Sequence, residues 1–486
     1  MKISYLKQLL LNINESFPVF IILLFYLSIL IVAIEVNVYL AVILLIGVIL
    51  LLRKFKGRLF FLVLLLMFAY FQYQIKIKTE IQLQKYYERD VLISGLVNNY
   101  PLIKDGKITL NLMVNKINGN QLEHESLVET TIIESDTIIK YFDKIECSGK
   151  FSNIKSWQND FFKAKSLEGF IVCDSVKVLD NKEKLDVIGF FIQVRYNLSQ
   201  KIEKQLHHPY DDLLFGIIFG GDADYSEHFK LDLQNSGTTH IIAVSGYNVD
   251  LVMSSLLFFS TNIKRKYLIV LSSIVLMIYL FFVGFDNIPA KRAVIMQFYV
   301  IGSWLSGKKA SALYGLCITT IFLFLENIFV YKSLSFQLSF AATIGIIVFR
   351  EPVITYITKI LKNQVLSDAL GISLIANICT LPIICFYFEK ISLISLFVNI
   401  IIAPLIPIIF ILGILFISLI FFKINFTLLS YGIFWILNLL IQIIDWSGSL
   451  SFAIINTKME PVIFVIFILI IIFGLCLIIY KNHSYE

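Results

Sequence analysis

Apolar stretches, each long enough to cross a bilayer, recur along this chain from Phe17 to Tyr480. A helix needs about 20 apolar residues to cross a hydrocarbon core of about 30 Å, so the repetition predicts a polytopic α-helical membrane protein. The spans fall near 17–34, 36–52, 59–75, 238–262, 267–284, 291–307, 310–329, 333–349, 365–388, 391–421, 426–448 and 461–480, about 12 transmembrane helices. Composition agrees: 58% of residues are hydrophobic and 16% charged, where soluble domains average roughly 45–50% and about 25%. The first run has no small-residue cleavage site ahead of further spans, so it reads as an anchor and not a removable signal peptide.

Charge placement orients the chain. Basic residues collect in short loops, at Arg53, Lys54, Lys56 and Arg58, at Lys264–Lys266, at Lys308 and Lys309, and at Arg350, Lys359 and Lys362. Such clusters mark the cytoplasmic side, and alternating the spans puts all of them there. Both termini are then cytoplasmic and residues 76–236 extracytoplasmic. Five segments follow: three N-terminal spans in 1–75, a β domain in 76–187, amphipathic helices at the outer membrane surface in 188–236, a membrane domain in 237–480 and a tail in 481–486.

In the β domain, runs such as VLISGLV and KITLNLMV alternate with period two between turn signals such as Asn118-Gly119-Asn120, which predicts a small barrel or sandwich. Acidic and basic residues nearly balance there. A local basic excess carries Lys140, Lys144, Lys150, Lys155, Lys163 and Lys165, with Trp157, Phe161 and Phe162 interleaved. Cations and rings together are what single-strand binding uses, and a solvated surface over buried rings fits equally well. Cys147 and Cys173 are the only two cysteines of the domain, and an oxidising compartment permits their disulfide. Residues 189–207 have helical periodicity, with Phe190, Phe191, Val194, Leu198, Ile202 and Leu206 on one face, and a second helix is expected around 211–219.

Polar groups inside apolar spans mark where function would reside. His240, Ser245, Gly246, Asn248 and Asp250 crowd the stretch HIIAVSGYNVDLV, lining a passage or packing against other helices, and Ser245-Gly246 invites a break in the helix. Ser333, Gln337, Ala341 and Gly345 recur every four residues and form one helix face. Arg292 follows Asn287-Ile288-Pro289 at the start of a span, placed to attract phosphate or to snorkel to headgroups. Asn399, Pro404 and Pro407 interrupt a segment longer than one span requires, predicting a broken or re-entrant helix. Several enzymatic readings fail. Gly302–Lys308 fits GxxxxGK, but Lys309 stands where a P-loop needs Ser or Thr. The six histidines, at 124, 207, 208, 228, 240 and 483, form no HExxH-type cluster, so neither a catalytic metal nor another cofactor is expected and the chain is not read as an enzyme.

At these residues the sequence resembles the ComEC family, the inner-membrane DNA-uptake channels of naturally transformable bacteria. HIIAVSGYNVDLV is similar to the family's HLLAISGLHVGL block, NIPAKRAVIM to its proline and Arg-Ala-Met block, and LSFQLSFAATIGII and TLPIICFYF to later membrane blocks. FDKIECSGKF resembles part of the family's OB-like outer domain. The resemblance implies passage of single-stranded DNA, with an outer DNA-receptor protein, a separate nuclease and a cytoplasmic DNA-motor or DNA-binding protein as partners beside the lipid bilayer. His240, Ser245, Gly246 and Asn248 would then form the constriction, Arg292 the outer mouth and Gln337 part of the path. Asn248 and Asp250 replace the family's His and Gly, and the added carboxylate would repel phosphate unless paired. Without the metallo-β-lactamase-like domain of longer members, the chain is expected not to cut DNA. A small-solute or lipid-intermediate transporter is the alternative, and an inverted repeat would favour it.

Overall fold

The computed structural model describes residues 56–99, 102–104, 107–133, 139, 141–153, 163, 165–180, 187–220, 225–258, 264–285, 287–307, 310–424, 426–450 and 452–456. The expected spans at 17–34, 36–52 and 461–480 lie outside them. Contacts divide the chain into two units. One holds the described residues up to Gln193 with Leu313–Phe336, the other Val194–Ala312 and the described residues from Gln337 onward.

In the first unit, helix α1, Lys56–Gln84, leads into the β domain. Strand β1, Arg89–Val97, pairs with both β3, Lys107–Ile117, and β5, Lys144–Ser152. Strand β3 pairs with β4, Asn120–Ile133, which runs parallel to β6, Gly169–Asp180, and β6 returns antiparallel to β5. The circuit closes, so the domain is a barrel and not a sandwich, and its five strands leave no free edge. The short β2, Leu102–Lys104, is added to β3. One parallel pair, between the third and fifth barrel strands, makes the topology OB-like. The period-two pattern is realised: Ile108, Leu110, Leu112 and Val114 are buried while Lys107 and Lys116 are exposed. Asn118 and Gly119, at φ 50° and 78°, form the two-residue hairpin turn expected of Asn-Gly. Cys147 and Cys173 are joined by a disulfide across β5 and β6, with Cα atoms 5.8 Å apart. Beside it, a Cβ on Gly149 would run into the Val172 carbonyl, which only glycine avoids at this bulge.

The second unit is helical. After α2, Val187–Glu203, come α3, Tyr210–Phe219, and α4, Glu227–Ser236. Helix α5, Gly246–Phe258, is followed by α6, Arg265–Val283, and α7, Ile288–Leu305. Helix α8, Ala312–Glu326, belongs almost wholly to the first unit. Then come α9, Leu334–Leu361, α10, Gln364–Phe388, α11, Ser395–Ile402, α12, Leu405–Phe421, and α13, Thr427–Gly448.

Helix α13 shows the intended solvent. Ile433, Leu437, Leu440 and Ile444 are buried on one face, while Leu428, Tyr431, Trp435, Leu439 and Trp446 are exposed on the other. A helix apolar all round that buries only one face requires an apolar medium for the second. Among the described residues, three helices are long and apolar enough to span, Leu334–Leu361, Leu366–Phe388 and Thr427–Gly448, and the α11–α12 pair, bent by 44°, makes up to four. They fall on the expected spans 333–349, 365–388, 391–421 and 426–448. Apolar content predicts a run's solvent but not its helical continuity. The expected span 238–262 is a 3-10 turn, Thr239–Ile241, followed by α5. The predicted break near Asn399 and Pro404 falls between α11 and α12, after Ile402.

Candidate functional site

The site grows from the C-terminal ends of two helices. A helix leaves its last four carbonyls without internal partners, and in an apolar surrounding each unpaired carbonyl is costly. Helix α3 ends in Ile217-Ile218-Phe219-Gly220, with Gly220 at φ 66°. Three of these four carbonyls meet a donor from elsewhere. Asn248 Nδ2 donates to Ile217 O at 2.6 Å, the Tyr279 hydroxyl to Ile218 O at 2.9 Å, and Arg195 Nη2 to Gly220 O. Arg195 Nη1 meanwhile donates to Phe282 O at 2.9 Å and Val283 O at 3.1 Å, the last carbonyls of α6. One guanidinium therefore caps two helices, and its charge opposes the negative ends of both dipoles. The Phe215 ring lies 5.2 Å from it.

Helix α5 starts at the same place. Ser245 Oγ accepts from Tyr247 N at 3.2 Å and donates to Asn248 Oδ1 at 3.0 Å, while Ser245 N donates to that oxygen at 3.4 Å. This is a capping box with Asn in the position usually held by Glu or Gln. Ser245 and Asn248 thus begin the helix, and the remaining amide of Asn248 ties it to α3.

Gly246 faces α7. A Cβ there would lie 3.3 Å from Arg292 Nη2 and 3.5 Å from Ala293 Cβ. Helix α7 starts where Asn287 Oδ1 accepts from Ala290 N at 2.9 Å, with Pro289 in its first turn. Arg292, one turn on, is buried at 8% exposure, and its Nε has no hydrogen-bond partner. Asp250 accepts from Gln297 Nε2 at 2.8 Å and interacts electrostatically with Arg292. The added carboxylate is therefore hydrogen-bonded by a neutral amide and lies in the field of Arg292.

Ser245, Gly246, Asn248 and Arg292 are thus brought together. His240 sits apart, exposed on the 3-10 turn. Gln337 donates to the Tyr387 hydroxyl at 3.1 Å, joining α9 to α10. Eight residues on, a Cβ at Gly345 would lie against Cys379 and, at 3.3 Å, Ile375, so this end of the small-residue face packs on α10. Sequence reasoning missed Arg195, Tyr279 and Gln297. The Phe-Gly-Gly end of α3, with its carbonyls in an apolar setting, was the available sign that donors must converge there.

Of the candidate outer contacts, Lys140, Lys155 and Trp157 lie outside the described residues. Lys144 is half-buried, Lys165 is exposed, and Lys150 is ion-paired with Glu88 at 3.0 Å. Lys163 lies 5.6 Å from the centre of the Phe329 ring, and Lys76 lies 5.4 Å from it. Burial pushes the nearby Glu168 carboxyl up to about 7, against the opposing pull of Lys76.

A family model described as "Competence protein" matches residues 217–481, from the α3 carbonyls onward. ComE operon protein 3 of Bacillus subtilis (strain 168) is 28% identical over 187 residues, 38% of this chain. That match spans 23% of the relative's length. No solved structure matches.

Proposed function

The chain belongs to the competence protein family, and from that premise we propose that it is the inner-membrane channel through which single-stranded DNA enters the cytoplasm during transformation. The observation that carries this reading is the cluster at the start of α5. Inside the matched region, a broken helix brings buried Arg292, with an unpaired Nε, beside Ser245, Gly246 and Asn248. A guanidinium fork matches the geometry of phosphate, as it does that of carboxylate. The Gln297 hydrogen bond and the Arg292 charge temper the repulsion that a lone carboxylate would exert on the strand.

The barrel supports the same reading. In OB folds the loops after the first and fourth barrel strands contribute to oligonucleotide binding. Here the latter is the connection from β5 to β6, which carries Lys155, Trp157, Lys163 and Lys165. The strand passes from this domain to the α5–α7 cluster and on past Gln337. An outer receptor, a separate nuclease and a cytoplasmic motor act with it.

The test is entry of end-labelled DNA into cells with and without the chain, combined with thiol access. Deletion should abolish entry, and re-expression should restore it. Single cysteines at 245, 246 and 337, in a variant without the native six, should react with a water-soluble reagent and be slowed by bound single-stranded DNA. Undiminished entry after deletion overturns the function. Three unreactive sites beside a labelled control in the barrel overturn the route.

A further inference from the structure

Before α3 stands His208, and two carboxylates, Asp211 and Asp212, follow it at helical spacing in the first turn. Its Nδ1 lies 3.1 Å from Asp212 Oδ2 and 3.9 Å from Asp211 Oδ1. One ligand atom from each of the three residues falls within 4.8 Å of the others. Carboxylates at a helix start are common and by themselves indicate no ion. The independent observation is Asp211: it is only 9% exposed, and its Oδ1, enclosed and turned toward the imidazole, takes no hydrogen bond. A buried carboxylate oxygen without a donor is costly.

We propose that His208, Asp211 and Asp212 bind a divalent cation of the zinc class, which fastens the N-terminal end of α3. Zinc bonds of about 2.0–2.1 Å give tetrahedral ligand separations of about 3.3 Å, and the two distances to Nδ1 bracket that value. One imidazole with two carboxylates suits zinc better than magnesium or calcium, which prefer oxygen alone. The positive end of the α3 dipole opposes a cation, and the two carboxylates outweigh it. His208, with its side chain 55% exposed, leaves the ion open to water and exchange. The spacing H-x-x-D-D lies outside the hydrolytic motifs sought in the sequence. The role is that of a clamp: α3 presents at its other end the carbonyls held by Asn248, Tyr279 and Arg195.

The full chain, purified in detergent and stripped with a chelator, is titrated with Zn2+ against a competing indicator, and with Co2+ by visible absorption. One equivalent should bind per chain, with Co2+ bands characteristic of nitrogen and oxygen ligands. His208→Ala and Asp211→Asn should each weaken binding at least tenfold. His207→Ala and His228→Ala should leave it unchanged; His228 serves as control because it pairs with Asp232 at 2.8 Å elsewhere. Should Asp211→Asn fail to insert, His208→Ala decides alone, its side chain being half in solvent. No binding at micromolar Zn2+, binding indifferent to His208→Ala, or loss on His228→Ala overturns the site. The readout is metal occupancy, so its failure leaves the DNA reading standing.

Discussion

At the scale of single residues, the cost of unpaired backbone decides the outcome. Asn248→Ala removes the donor to Ile217 O and half of the capping box, and should destabilise the chain by about 1–3 kcal/mol. Tyr279→Phe leaves only Ile218 O unpaired and should cost less. Thermal unfolding of the chain in one lipid nanodisc preparation gives the order. Gly246 is a graded test: at 3.3 Å from a flexible guanidinium end, Gly246→Ala should be accommodated with near-normal DNA entry, while Gly246→Leu should reduce entry at least tenfold. Equal loss in both checks that expectation and defeats it. Glu168 supplies a pH test. Its folded pKa is raised, so the folded chain holds more protons than the unfolded one between the usual Glu value of about 4.3 and about 7. Stability contributed by this group is full below that window and falls as pH rises through it. Glu168→Gln should flatten the decline in melting temperature over the window. The identities of these residues were visible in the sequence, but their partners were not. Ser245 and Asn248 stood out as polar groups in an apolar run, whereas Tyr279 and Arg195 looked ordinary until folding brought them to α3.

At the scale of elements, the β domain was legible because period two and Asn-Gly turns are local signals. Barrel closure depends on β1 pairing with β3 and β5 at once, a long-range fact that no window contains. The disulfide ties β5 to β6 over a separation of 26 residues. Replacing both Cys147 and Cys173 by serine should lower barrel stability by about 3 kcal/mol, measured as faster proteolysis of the outer domain at a fixed temperature. Helix continuity was legible only where particular residues mark it. The run from 238 to 262 is apolar enough to span, and its Ser245-Gly246 pair invites the break at which the structure starts a new helix. The proline break between α11 and α12 was readable because Pro404 carries its own steric rule.

At the scale of the whole chain, the basic loops predict an orientation. Reporter fusions should place Asn118 outside and Asn363 in the cytoplasm; a cytoplasmic Asn118 reverses the map. Whatever route a strand takes, Arg195 limits how the helices around it can part. Its guanidinium holds Gly220 O, Phe282 O and Val283 O together, so sliding α3 along α6 would strip either its one bond to α3 or its two to α6. Those two helices form a single lever, and any widening of the protein falls on joints that lack such a rivet, the bend between α11 and α12 foremost.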